Sequence, residues 1–554
     1  MASMSSKWKH FILPFVTLSI ALLFLVTNYL FFTINYARHL QDEFQNMTTL
    51  QNPEWFEIVS REIKDEKIIG LVGMDRIRDE VVHKRAKENT ATYLKTVRNP
   101  KWFEVIAREI KDETLIKIGL VNVDEITNIE DHNTNVKMVK VHFDHVGKDV
   151  HWSDLAPERM DENSTCPDIP MPRFDDYEHI DVVVARVSRC EAGGVRDVFR
   201  LQVNLVVANL LVRSGRKGNR PIFAVFLGSC EPMLEIFRCD DLLWNEDNSW
   251  VYKPEMKRMN DLVLMPVGAC QFVPPFSNVG KEQWRSHLSH QREAYVTVLH
   301  TSESYVCGAI VLAQSIIQSN STKDLILLVD DNISPRSIEG LWAAGWKIKR
   351  IQRIRSPYSK TDTYNEWNYS KLRIWQLKQY DKLIFIDADL LVSRNMDKLF
   401  KYPQMTAAGN YQKHLFNSGL MLIEPSECTF KTLMKKMMVV ESYNGGDQGF
   451  LNEMFSWWHR LPAKMNYLKV FVDVNDHLHW INKNRVYAVH YTGLKPWKCL
   501  DQETDCNWDL KKFHRYSSNS AHKMWRDVHR NMPEKLKPFC VQALEKNSAT
   551  SPKW

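Results

Sequence analysis

No Cys-x-x-Cys pair occurs among the ten cysteines, which removes the spacing that structural zinc sites use. An excess of charge of one sign is also lacking. A net charge of +6 over 554 residues mildly favours acidic ligands and makes no case for a nucleic-acid binder, which wants clustered basic stripes. Disorder is excluded as well, because 44% hydrophobic and 25% charged residues are globular values. The length admits two or more domains.

One stretch lacks charge altogether. Phe11 to Ile34 carries no charged side chain and is mostly Phe, Leu, Ile, Val and Thr. As a helix it spans about 36 Å, enough for a hydrocarbon core with some tilt. Lys7 and Lys9 precede it and only Arg38 follows closely, so residues 1–10 are expected in the cytosol and the remainder in the lumen. A cleaved signal peptide would have a shorter core followed by small residues, so 11–34 reads as a single-pass, type II signal anchor. Lumenal placement permits disulfides. Cys499 and Cys506 are spaced to close a small loop, as are Cys230 and Cys239, and sequons stand at Asn46, Asn163, Asn320 and Asn368.

Residues 35–165 are polar and contain a repeat, 52–75 and 99–124. Asn52-Pro53-Glu54-Trp55-Phe56 recurs as Asn99-Pro100-Lys101-Trp102-Phe103, and each copy runs on to Gly-Leu-Val at Gly70 and Gly119. Asn as N-cap with Pro at the first helical position predicts a helix, then a short strand. Two copies are too few for a solenoid, so a lumenal stem is expected, with docking of a partner transferase as the lesser alternative. A Pro-rich joint, Cys166 to Pro172, opens an accessory α/β region over 166–292. Within it 180–187 and 221–227 read as strands and 195–213 as an amphipathic helix. Asp181, Arg186 and Arg189 read as surface charge.

From 293 to 510 strands and helices alternate, and 511–554 is a tail. Ala294–Leu299, Leu325–Val329 and Trp346–Ile354 read as strands, with helices over Tyr305–Gln318, Ser334–Ala344 and Ser370–Gln379. The turn His300 to Ser304 is rich in capping residues and opens a helix, a ready nucleotide site. The last helix feeds Leu383-Ile384-Phe385-Ile386, four apolar residues that stop at Asp387-Ala388-Asp389. An unalternating apolar run reads as a strand buried on both faces, and ligands gather beyond the carboxyl ends of such strands. Two carboxylates there suit Mg²⁺ or Mn²⁺ with positions left for a phosphate.

Further groups follow in order. They are Phe416-Asn417-Ser418-Gly419 entering a strand and Asn444-Gly445-Gly446-Asp447-Gln448-Gly449 entering a helix. After them come His490-Tyr491-Thr492-Gly493-Leu494-Lys495-Pro496-Trp497, and Lys371 stands earlier as a second cation. With Tyr305-x-x-Gly308-Ala309, these motifs resemble glycosyltransferase family 8 over roughly residues 293–500. The family comprises retaining, nucleotide-sugar-dependent enzymes of the GT-A fold. Its anchored plant members, the glucuronic-acid-substitution-of-xylan (starch-initiation-like) proteins, are most similar. Glycogenin has no anchor and one more residue between the histidine-motif glycine and lysine, and galactinol synthases are cytosolic.

The resemblance implies an α/β, GT-A nucleotide-sugar transferase fold. It implies that Leu299, Thr301, Ser302 and Tyr305 hold uracil and ribose, and that Asp387, Asp389 and His490 ligate Mn²⁺, with Asp387 or Ala388 also near ribose. Gly493 and Lys495 match diphosphate contacts. Phe416, Asn417, Ser418, Gly419, Asn444, Gly445, Gly446, Asp447 and Gln448 form the sugar-facing set, with Asp447, Gln448 and Lys371 in catalytic positions. The implied reaction is transfer of glucuronic acid from UDP-glucuronate to xylan at the Golgi membrane. The alternatives are another UDP-sugar or acceptor, or a non-catalytic scaffold. Lys371, Arg373, Lys413 and His414 are the candidate cations for a sugar carboxylate.

Overall fold

The strand that ends before Asp387 lies at the centre of a seven-stranded sheet. The structure is a computed structural model. It describes residues 99–540 except 111–114, 125, 127–135, 159–164, 188–195, 217, 219, 275–291, 301–302, 411–413 and 471–484. The apolar run 11–34, the first repeat copy 52–75, Arg189, Thr301, Ser302 and Lys413 lie outside the described residues. No helix among the described residues is long and apolar enough to cross a membrane.

The second repeat copy folds locally into the expected helix, α1 (Lys101–Glu109), and strand, β1 (Ile116–Val121), although Pro100 rather than Asn99 holds the N-cap position. Its place differs from a free stem. Strand β1 pairs in parallel with β2 (Val136–Val141) and with β3 (Val182–Arg186). The stem-to-accessory boundary expected at residue 165 therefore runs through a single sheet. A short helix α2 (Trp152–Leu155), a long helix α3 (Val198–Arg213) and strand β4 (Phe223–Leu227) follow. The hairpin β5 (Leu242–Glu246) and β6 (Ser249–Tyr252) turns through Asp247 and Asn248, both at positive φ, as a two-residue hairpin loop requires. Strand order is β2-β1-β3-β4-β6-β5.

Helix α1 buries Trp102, Phe103 and Ile106 against one face of this sheet, with Val182, Val184 and Phe223. Helix α3 packs on the other face with Val183, Ala185 and Phe226. It was expected to be amphipathic, yet it is buried nearly all round. Its polar Gln202 is wholly buried and satisfied, donating to the carbonyls of Asp144 and Pro170 and accepting from Val146 N. Asp181, read as surface charge, is also buried, where it takes Arg216 at 2.6 Å and the Lys117 amide at 2.8 Å.

After helix α4 (Met256–Val263) the second sheet begins. Strands β7 (Glu293–Leu299), β8 (Asp324–Val329), β9 (Lys347–Arg350) and β10 (Lys382–Ile386) are parallel. Helices α5 (Val306–Gln318) and α6 (Pro335–Ala343) make the crossovers. Beyond a short β11 (Leu390–Val392), strands β12 (Thr406–Gly409) and β13 (Phe416–Ile423) run antiparallel to each other, and β13 runs antiparallel to β10. The order is β14-β12-β13-β10-β7-β8-β9, closed by β14 (His459–Leu461). The fold class is mixed α/β, as expected. Every residue of β10 is buried, and each of its apolar side chains contributes about 1.5–3 kcal/mol. The segment before β10 is a 3₁₀ helix, Asn368–Gln376, rather than the expected α-helix.

The two sheets are joined through helices α7 (Glu427–Lys436) and α8 (Asp447–Met454). A Cys239–Cys428 disulfide ties the accessory region to α7, so the expected Cys230–Cys239 pairing is replaced. Cys499–Cys506 forms as expected. Arg196 grips Glu453 on α8 through two hydrogen bonds of 2.9 and 3.0 Å. The accessory sheet thereby braces the helix whose first residue is Asp447.

Candidate active site

Strand β10 stops at Ile386, and the Asp387 carbonyl accepts from Leu390 N at 3.0 Å to make a turn. The chain re-enters a small three-stranded sheet as β11, whose partners are β16 (Ala488–His490) and, beyond it, β15 (Tyr467–Leu468). The β11–β16 register sets Leu390 opposite His490, which brings the imidazole beside Asp389 although the two are distant in sequence. One ligand atom from each of Asp387, Asp389 and His490 lies within 4.8 Å of the others. Gly419 of β13 makes room for the ring, since a Cβ there would stand 2.4 Å from His490 Cε1.

Two lysines answer the carboxylates. Lys495 Nζ lies 2.6 Å from Asp389 Oδ2, and His490 Nε2 lies 3.2 Å from Asp389 Oδ1. Burial opposes the Asp389 charge, but Lys495 and His490 outweigh it and hold the carboxyl well below the usual range. Burial also opposes the Lys495 charge, and Asp389 reverses this and raises it. Lys371 Nζ lies 2.6 Å from Asp447 Oδ2 and 3.3 Å from Asp387 Oδ1, over the face of Phe385. Burial alone would lower Lys371, and the two carboxylates raise it instead. Asp387, by contrast, is pushed up by burial, with Asp389 adding to the rise and Lys371 opposing it.

The donor set of two carboxylates and one imidazole fits a divalent cation of the first transition row. The imidazole offers Nε2 on the Asp389 side, where an ion would sit, while Nδ1, on the Gly419 side, is buried with no hydrogen-bond partner among the described residues.

The sugar-facing set divides on inspection. Ser418 Oγ donates to Asp447 Oδ2 at 2.8 Å, and Gln448 Oε1 accepts from Asn417 Nδ2 at 3.1 Å and Ser418 N at 3.3 Å. These four residues form one network beside Lys371. Asn444 shapes its own loop, accepting from Gly446 N and Gly449 N, and Gly445 contributes its carbonyl to Ser356 Oγ. The Phe416 side chain is fully buried in the core, with its peptide groups held by Asn452. Leu299 ends β7, and Tyr305 sets its ring edge-on to Trp497 at 5.5 Å, with Lys495 5.9 Å from its centroid. Of the candidate cations for a carboxylate, Arg373 is spent on Gln352 and Gln376, and His414 on the Ala156 carbonyl at the junction of the sheets.

One group that the sequence left without a role is His300. It directly follows Leu299, feels both Lys371 and Asp447, and is pushed down to about 4 by burial and by the Lys371 charge. The same strand-end rule that singled out Asp387 points to it.

Comparison with known proteins agrees with this geometry. Residues 89–270 match the GUX1-5 N-terminal domain, 296–408 match glycosyl transferase family 8, and 359–498 match nucleotide-diphospho-sugar transferase. UDP-glucuronate:xylan alpha-glucuronosyltransferase 2 of Arabidopsis thaliana is 47% identical over 79% of this chain and 76% of its own. Member 1 of that series is 43% identical over 76% and 66%. Member 4, whose name leaves its activity unproven, is 50% identical over 78% and 81%. The chain belongs to glycosyltransferase family 8, within the group formed by these plant xylan α-glucuronosyltransferases.

Proposed function

We propose that the protein transfers glucuronic acid from UDP-glucuronate to the xylan backbone with retention, giving an α-linked branch. The observation that carries the reading is the meeting of Asp387, Asp389 and His490 with the Lys371–Asp447 pair at the carboxyl end of β10. Asp387, Asp389 and His490 would hold Mn²⁺, whose charge would offset that of the donor diphosphate. Lys495 supplies a fixed cation to the leaving group, and desolvation strengthens that contact. Lys371 neutralises Asp447 and holds it against Ser418, so that Asp447 and Gln448 orient the sugar. A double displacement needs a free carboxylate nucleophile. Asp447 already accepts a lysine and a hydroxyl on one oxygen, which favours substitution on the leaving-group face, with the diphosphate taking the acceptor's proton.

The single-pass, type II Golgi anchor at residues 11–34 belongs to this proposal, with the catalytic region in the lumen. So does contact of the repeat region with partner transferases. A non-catalytic scaffold would have no need to keep Asp389 and Lys495 paired in a buried site. The test is UDP release by the full-length protein with UDP-glucuronate, Mn²⁺ and xylo-oligosaccharide, followed by the anomeric configuration of the product. Expected are release that chelation stops and an α product. A β product, or release indifferent to metal and acceptor, defeats the reading.

A further inference from the structure

The turn that presents Lys495 is held from behind by residues beyond 498, where the family matches end. Asn507 is wholly buried. Its Oδ1 accepts from Leu494 N at 2.9 Å and its Nδ2 donates to Leu494 O at 3.0 Å, so the amide pairs with the backbone N–H and C=O of one residue as a neighbouring strand would. The same Nδ2 donates to Asp505 Oδ1 at 2.7 Å. Asp505 in turn accepts the amides of Asn507 and Ser518 and the ammonium of Lys469 at 2.5 Å. Lys469 closes the frame on the other side, with its amide on the His490 carbonyl and its carbonyl accepting from Thr492 Oγ1. Between these clamps Gly493 adopts φ +77°, and a Cβ there would stand 2.5 Å from Asn507 Oδ1.

We infer that Asn507, fixed by Asp505, is a positioning residue that sets the His490–Lys495 turn for the donor's diphosphate. The inference rests on the reading of that turn as the diphosphate site. Asn507 lies behind the turn and acts through the backbone of Leu494, one residue before Lys495. Leu494 is where the backbone beside Lys495 is fixed. The Cys499–Cys506 disulfide closes the loop that leads to Asn507 and so keeps the clamp in register.

The test compares UDP with uridine, which lacks the diphosphate, by calorimetry or ligand-observed NMR on the full-length protein with Mn²⁺. In Asn507→Ala the affinity for UDP is expected to fall at least tenfold while that for uridine stays within twofold. KM for the UDP-sugar should rise and KM for the acceptor should not. Asn507→Ser, uncharged and small enough to leave room for a bridging water, should shift UDP in the same direction by less, and it carries the test should the alanine variant fail to fold. Equal losses for UDP and uridine, or no loss for either, overturn the inference. A wild type that holds UDP no tighter than uridine overturns the diphosphate reading beneath it.

Discussion

Lys495 Nζ and Asp389 Oδ2 meet at 2.6 Å. The ammonium proposed to meet the diphosphate thus pairs with a carboxylate proposed to hold the metal. Asp389 is buried and Lys495 partly so, and each stabilises the charge of the other against desolvation. On the proposed reading Asp389 would help hold a metal while Lys495 faces a phosphate, so the two sites share one contact. Lys495→Ala removes a preorganised cation and leaves Asp389 facing His490 alone. It should cost about 2–4 kcal/mol of transition-state stabilisation, the usual scale for one such contact. Steady-state kcat/KM with saturating metal checks this, and an unchanged value would take Lys495 out of the chemistry.

Asp447→Asn separates an orienting role from a nucleophilic one. An amide still accepts from Lys371 and Ser418, so a measurable rate should survive, reduced roughly ten- to a hundredfold for the loss of a charged partner. Mass spectrometry of slowed variants should find no sugar bonded to residue 447. A covalent glucuronyl adduct there would make Asp447 the nucleophile.

Gly419→Ala tests the approach of β13 to the metal ligands. The added methyl would stand 2.4 Å from His490 Cε1, so the imidazole must turn away from Asp389 or β13 must shift. Metal affinity should drop at least tenfold, with the melting temperature changed far less than by a core truncation. Normal metal binding in this variant would show that His490 is not constrained from that side.

What the sequence made legible follows from how local each signal is. The unalternating run Leu383 to Ile386 and its abrupt end on Asp387 marked a central strand and its ligand end, because burial on both faces leaves a direct compositional trace. His490 was legible only through a family resemblance, since its place beside Asp389 is made by the β11–β16 register. The second repeat copy shows the opposite limit. Its helix and strand were readable, but an amphipathic pattern does not say what covers the apolar face, and here Trp102 and Phe103 are covered by the accessory sheet. Cys239 looked paired to its neighbour Cys230, whereas domain packing set it against Cys428. Asn507 carried no signal, because an amide that mimics a strand has no characteristic spacing.

His459 on β14 is 1% exposed and makes stability depend on pH. Burial pushes its imidazole down to about 3, whereas an unfolded histidine titrates near 6.5. The unfolded state therefore binds the proton first as pH falls. The contribution of the neutral ring is fully present above about pH 6.5 and is lost progressively as pH drops toward the folded value. Between pH 6.5 and 5 the loss from this one group is about 2 kcal/mol. Glu235 works in the opposite sense, since burial pushes its carboxyl up, so the informative quantity is the difference from wild type. His459→Phe, which keeps a ring against Trp457, should flatten the fall in urea-unfolding stability between pH 6.5 and 5, whatever it does to stability at pH 7. An equally steep fall in variant and wild type would mean that His459 takes up its proton without leaving the folded state.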